Sequence, residues 1–261
     1  MEFTEPKVFH VAQTGIDDVG VMAYLAEIGA PQWTTDAPTG AEKLIEVMGR
    51  GCYNAYAVGL NPNVTRIREG SAVYLKNIIE SKHGSVMEHA TDSYMIFCSR
   101  ACTHQLVRTR VGVALSQASL HFIRIDALKS WFPAVFEAHP RAEEIRMLYK
   151  SKFEDLEAAQ LELTKILDMD NQTFATKKKL TTAMRRLAPI GLQTMLGLTA
   201  NHRTFRWLVE QRSSHFNDEE IRIVAGLLFK EQSKRYPALY ADAKVEFVEG
   251  FDEITFTNSK V

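Results

Sequence analysis

The sequence predicts an α+β protein built as one domain over residues 1–261. Short β-branched and aromatic runs, such as KVFHVAQT (7–14) and SYMIFC (93–98), lie among much longer helical patterns. Residues 141–168 carry the longest helical pattern, and no internal repeat, low-complexity tract or linker divides the chain.

In chain order, residues 7–14 read as a strand and residues 16–28 carry apolar positions at helical spacing. PQWTTDAPTG (31–40), with two prolines and a closing glycine, reads as a loop. A helix is expected from about Ala41 to Gly49–Gly51, turning Leu44, Ile45, Val47 and Met48 inward. Residues 59–69 are polar and irregular, and a helix over 70–81 presents Val73, Leu75, Ile78 and Ile79. SKHGSVMEHATD (81–92) interrupts the pattern, and its Ser85 and Glu88 have the S-x-x-E spacing of a capping box. Residues 93–98 read as a buried strand and 99–109 as a helix, which places Arg108 and Arg110 near a helix end. Residues 123–140, with Pro133 and Pro140, read as a loop.

In the long pattern that follows, Ile145, Leu148, Phe153, Leu156, Leu161 and Ile166 form one apolar face. Residues 174–187 are a second helix stopped by Pro189. LQTMLGLT (192–199) is a candidate strand. Helices over 203–212 and 219–234 follow, the latter with Ile221, Val224, Leu227 and Leu228 inward, and the tail from Val245 adds a strand.

A composition 46% hydrophobic and 24% charged belongs to a folded chain, and a formal net charge of -1 gives no whole-chain attraction to nucleic acid or membrane. Cys98 and Cys102 form a CxxxC spacing with no second pair to complete a tetrahedral zinc site. Free thiols in a reducing, cytoplasmic setting are expected. MEFTEPKVFH lacks the apolar core of a signal peptide, and no apolar run approaches the roughly 18 residues of a membrane span.

Polar clusters carry the functional signal. HQLVRTRVGVALSQASLHFIR (104–124) brings Arg108, Thr109 and Arg110 together, then passes through small apolar residues to Ser116, Gln117 and Ser119. Two guanidiniums are suited to phosphate or carboxylate oxygens, and Gly112 and Ala114 leave room for a flat ligand near the backbone. The competing reading is a surface turn with solvated arginines. HGSVMEH (83–89) holds two histidines six apart, which do not share a helical face, so a metal site is not expected. RRLAP (185–189) sets a basic pair before a proline, where arginines also suit the end of a helix dipole. Asn201-His202-Arg203 is followed by Arg206 and Arg212, a possible basic stripe that Glu210 breaks, so nucleic-acid binding is not expected. No nucleophile triad, GxGxxG or P-loop is present. Together the clusters suit an anionic ligand with an extended, hydrogen-bonding body.

In this order the clusters resemble the flavin-dependent thymidylate synthases. That family's signature is RHR, seven residues, then Ser, with Arg-Tyr shortly after; RTR (108–110) and SQAS (116–119) resemble its halves. HGSVMEH resembles its H-x-[ST]-x-x-E-H segment, RGCY (50–53) its early Arg/Cys-Tyr turn, and RRLAP its R-x-x-L-P, with Ala188 in place of the leucine. Asn201-His202-Arg203, Gln211-Arg212 and Glu220-Ile221 follow at similar spacing, so the resemblance covers about residues 50–235. It implies a mostly antiparallel sheet packed against long helices, and a homotetramer with active sites between subunits. It also implies bound FAD, a uracil nucleotide substrate, methylenetetrahydrofolate as carbon donor and NADPH as reductant, with the cofactor carrying the redox chemistry. By position, His83, Ser85, Glu88, Arg108, Thr109, Arg110, Asn201 and Arg203 are expected to line FAD. Gln105, Gln117, Ser119, Leu120, His121, Arg185 and Arg212 are expected to hold the nucleotide, with Arg185 on its phosphate and Arg212 and Ser119 as the catalytic pair.

The chain departs from that pattern at Thr109 in place of His, at eight residues in place of seven between RTR and Ser119, and at His121-Phe122 in place of Arg-Tyr. All three fall in the nucleotide-binding loop, which points to altered substrate selection more than lost chemistry. The expected activity is C5-methylation of dUMP. A relative that also accepts UMP, and a catalytically silent flavin- or nucleotide-binding protein, are the alternatives.

Overall fold

The computed structural model describes residues 1–120 and 128–259. Its framework is the pairing of β3 (Thr91–Ser99) with β6 (Gln193–Asn201), antiparallel along their whole length. Both strands alternate half-buried and buried positions. Tyr94, Ile96 and Cys98 on one, with Leu196, Leu198 and Ala200 on the other, therefore enter one core. β2 (Lys7–Gln13) flanks β3, and β4 (Val113–Gln117) flanks β6, giving an antiparallel sheet of order β2-β3-β6-β4. A short parallel pair joins β1 (Glu2–Phe3) to β5 (Lys129–Ser130), and β7 (Ala243–Val248) with β8 (Phe251–Phe256) forms an antiparallel hairpin.

Helices cover the buried face of the sheet. From α2 (Gly40–Gly51) come Ala41 and Ile45, and from α3 (Ser71–Glu80) Leu75, Ile78 and Ile79. From α8 (His202–Ser213) come Phe205, Leu208 and Val209, and from α9 (Glu219–Arg235) Ile221, Val224 and Leu228. Burying each such aliphatic or aromatic side chain contributes about 1.5–3 kcal/mol of transfer free energy. α1 (Asp18–Glu27) packs in a separate small cluster around Leu25 and Tyr56. α4 (Arg100–Leu106) starts directly after β3, its first turn capped by the Ser99 hydroxyl. α5 (Ala134–Glu137), the long α6 (Ala142–Ile166) and α7 (Phe174–Met184) lie to one side, where Phe153 meets Leu128 and Leu192.

The expected α+β domain with an antiparallel sheet is the observed one, with local corrections. The apolar spacer at 111–115 leads into β4, an edge strand paired with β6, not a turn. Ser85 and Glu88 form no capping box: Gly84–His89 is a 3-10 helix without a side-chain cap, and Glu88 is drawn to Arg203. Arg206 begins no basic stripe, because it is buried against Asp242. Val73 and Met48 point outward, and α3 buries Tyr74 in place of Val73. On α6 only Phe153 of the expected apolar face is buried; Leu148, Leu161 and Ile166 are exposed. Its own chain leaves those three apolar residues uncovered, so the periodicity of α6 exceeds what one chain covers. The tail forms a hairpin of two strands.

Candidate functional site

The start of α4, the end of β4 and the turn after α7 converge on a cavity of about 640 Å³. Its walls include Arg100, His104, Gln117, Ser119, Leu120, Arg185 and Arg186. Local bonds fix each wall. Arg100 N donates to Leu192 O at 2.9 Å and Ala101 N to Ile190 O at 3.0 Å, tying the first turn of α4 to the segment after the basic pair. Gln117 Nε2 donates to Thr103 Oγ1 at 3.0 Å, and Ala118 N to Met195 O at 2.9 Å, so the loop leaves the sheet at a set angle. Behind the cap, Ser99 N donates to Glu220 Oε1 at 2.7 Å and its hydroxyl donates to the other carboxylate oxygen. Burial pushes the Glu220 carboxyl pKa up, and the Ser99 bonds oppose that shift.

Three guanidiniums, those of Arg100, Arg185 and Arg186, line this cavity. Burial, then the charge of Arg185, lowers the pKa of Arg100. Arg100 Nη1 is buried with no hydrogen-bond partner among the described residues. A dianion placed in the cavity would offset the repulsion between Arg100 and Arg185. With His104, Gln117 and Ser119 also lining the cavity, the donors suit a phosphate ester carrying a polar ring.

The expected cofactor residues gather elsewhere, around the beginning of α8. Asn201 Oδ1 caps that helix, accepting from Thr204 N at 2.8 Å. Thr204 Oγ1 donates to Val111 O at 3.1 Å, which lays the segment after RTR across the first turn. Gly112 takes φ +67 there, and a Cβ would stand 2.4 Å from Asn201 Nδ2, so glycine is required by both conformation and space. Thr109 is buried and its hydroxyl has no partner among the described residues, while Arg108 and Arg110 flank it in the open. Arg203 and Glu88 form an ion pair at 2.5 Å with both side chains about half exposed. His83 lies beyond, stacked on Tyr53 at 6.4 Å, on the wall of a second cavity that Arg66 and Arg68 also line.

Arg212, in the last turn of α8, donates through Nη2 to Gln105 O at 3.1 Å, and its Nε is buried without a partner among the described residues. The structure thus brings Gln117, Ser119, Leu120 and Arg185 to one cavity and joins Arg212 to Gln105 beside the same helix α4. It places Asn201, Arg203, Glu88 and the RTR segment at another locus, and His83 at a third. Ser85 lies in the 3-10 turn near Glu88. His121 and Arg124 lie outside the described residues. Sequence reasoning missed Arg100 and His104. The signal available was their spacing, because positions four apart on a helix share a face. Among the described residues, no group of three or more His, Cys, Asp or Glu could hold a metal ion, and no helix is long and apolar enough to cross a membrane.

Residues 35–238 match the profile of the Thy1 family, thymidylate synthase complementing protein. The chain is 32% identical over 216 residues to a flavin-dependent thymidylate synthase of Mycobacteroides abscessus, covering 80% of this chain and 82% of that protein. It is 32% identical over 231 residues to the enzyme of that name from Mycobacterium marinum, covering 85% and 86%. Among solved structures, the UMP/dUMP methylase PolB of Streptomyces cacaoi, bound with 5-Br dUMP, superposes with TM-score 0.59 at 14% identity, over 92% of this chain and 96% of that one. Thymidylate Synthase X of Helicobacter pylori, with FAD and dUMP, superposes with TM-score 0.57 at 16% identity, over 91% and 98%. The sequence match over most of the chain, on the fold these structures share, establishes that the chain belongs to the flavin-dependent thymidylate synthase family.

Proposed function

We propose that the protein methylates C5 of a uracil nucleoside 5′-monophosphate, converting dUMP to dTMP. Methylenetetrahydrofolate would supply the one-carbon unit and NADPH the two electrons that reduce it to a methyl group, releasing tetrahydrofolate and NADP. The observation that carries this reading is the cavity lined together by Arg100, Arg185, Arg186, Gln117 and Ser119: guanidiniums suited to a phosphate beside hydrogen-bonding partners.

The donors around the start of α8 fit FAD. An orphaned buried hydroxyl on Thr109, an ion-paired Arg203 that can redirect a donor, and Arg108 and Arg110 in the open suit a dinucleotide with a pyrophosphate and many hydroxyls. Asn201, Arg203, Glu88 and the RTR residues would hold it, with His83 and Ser85 further along. FAD would carry electrons from NADPH to the transferred carbon.

The chain's own residues supply position and charge. Arg185 and Arg100 hold the phosphate, Gln117 and Ser119 orient the nucleotide, and Arg212 meets the uracil edge. There a guanidinium stabilises negative charge on the ring as C5 becomes nucleophilic. Separation of the two loci within one chain, together with the uncovered apolar residues of α6, supports a homotetramer whose sites lie between subunits. The eight-residue interval between RTR and Ser119, one longer than the family signature, favours a second reading in which UMP is also accepted.

The test is anaerobic. Absorbance of the FAD-loaded protein, bleached by NADPH, returns when methylenetetrahydrofolate and dUMP are both supplied and not with either alone. Recovery with neither dUMP nor UMP would leave a silent binding protein.

A further inference from the structure

The C-terminal hairpin lies beyond the residues matched by the family profile, yet its second strand is bonded to side chains on both sides of Arg212. Ser213, fully buried, accepts from Ile254 N at 2.9 Å and donates to Ile254 O at 3.3 Å. Glu210 accepts from Phe256 N at 3.1 Å. His215 donates to Glu253 Oε2 from Nδ1 at 2.8 Å and from its backbone at 3.4 Å. Arg222 ties the same turn to the other strand, donating to Ser213 O at 3.3 Å and to Val248 O at 2.6 Å, with its guanidinium 4.9 Å from the centre of the Phe251 ring.

The last turn of a helix is ordinarily its loosest, because its carbonyls lack intrahelical partners. Here that turn carries Arg212, whose guanidinium reaches Gln105 O on α4, with no partner for its Nε among the described residues. Bonds at Glu210, Ser213 and His215 hold the turn between them against β8, and the backbone of that turn is the base from which the Arg212 side chain extends. We propose that β8 is a clamp that aims Arg212 at the nucleotide, with Glu210, Ser213 and His215 as its positioning residues. The proposal rests on the reading that Arg212 meets the uracil.

A double-mutant cycle tests it on the FAD-loaded full chain, read by dUMP affinity and by kcat. Ser213→Ala removes the bonds to Ile254, and Glu253→Ala, at a partly exposed position, removes those to His215. Each is expected to lower kcat for dUMP about fivefold or more, the loss of roughly one net hydrogen bond, with competition by inorganic phosphate unchanged. Glu253→Gln, which keeps an acceptor, should restore most of the loss. In an Arg212→Ala background neither Ser213→Ala nor Glu253→Ala should lower kcat further. Wild-type kcat in both single variants, or equal losses with and without Arg212, overturns the clamp. If Arg212→Ala itself keeps wild-type affinity and turnover, the assignment of Arg212 fails and the clamp falls with it. An impaired Arg212→Ala beside unimpaired clamp variants refutes the clamp alone.

Discussion

Replacing Arg185 with alanine removes one of the three guanidiniums that line the cavity, and its effect can be worked from that geometry. Hydrogen bonds to charged groups contribute about 1.5–3 kcal/mol each. Losing one should therefore weaken dUMP binding roughly 10- to 150-fold. Two features pull towards the lower end. The charge of Arg185 lowers the pKa of Arg100, so its removal makes Arg100 a better-charged partner for phosphate, and Arg186 remains on the wall. A loss of about tenfold is thus expected. The loss should be confined to the phosphate, so deoxyuridine, which lacks it, should bind the variant and the parent alike. Isothermal titration of the FAD-loaded protein with dUMP and deoxyuridine, at one fixed ionic strength, makes the comparison. Equal weakening of both ligands would show that Arg185 shapes the pocket without holding the phosphate. A loss below about threefold for dUMP would place the phosphate elsewhere.

Three further outcomes follow from the buried polar groups. Burial lowers the pKa of His202 from 6.5 to about 4 despite nearby Asp92, so its stabilising contribution is complete above pH 6.5. As pH falls from 6.5 to about 4 the unfolded chain binds the proton first, withdrawing about 3 kcal/mol, and His202→Phe should flatten that part of a urea-denaturation pH profile. Thr109→Val removes the orphaned hydroxyl; thermal melting of the apoprotein should stay level or rise, while FAD affinity falls about fivefold. A variant that loses apoprotein stability and keeps FAD affinity would assign Thr109 to packing alone. Arg206 pairs with Asp242 at 2.8 Å and 3.1 Å and donates to Leu239 O. Arg206→Met should cost about 3–5 kcal/mol in urea denaturation, because it strands a partly buried carboxylate; a cost under about 1 kcal/mol would show that the pair adds nothing.

What the sequence revealed and what it hid have physical reasons. β3 and β6 were legible because short apolar runs, aromatic and β-branched in SYMIFC, interrupt the helical patterns around them, and the inward faces of α8 and α9 follow ordinary helical spacing. β4 was hidden because five residues beside Gly112 are too few to show a period, and only pairing with β6 makes them a strand. The capping-box spacing misled because Arg203, distant in sequence, draws Glu88 away from the turn. On α6 the apolar face was read correctly as a pattern, but one chain buries only Phe153 of it. The resemblance located Gln117, Ser119 and Arg185 in what proves to be one cavity. Arg100 was invisible as a motif, since its place there depends on the Ser99 cap and on its backbone bond to Leu192.

The most direct test of the central claim follows the carbon itself. FAD-loaded protein is incubated with NADPH, dUMP and methylenetetrahydrofolate labelled in the methylene carbon, with UMP in a parallel reaction, and the nucleotides are then separated. The account predicts label in the C5 methyl group of dTMP, dependent on NADPH and reduced in Arg212→Ala. Flavin bound and reducible, with no label in either nucleotide, would contradict it.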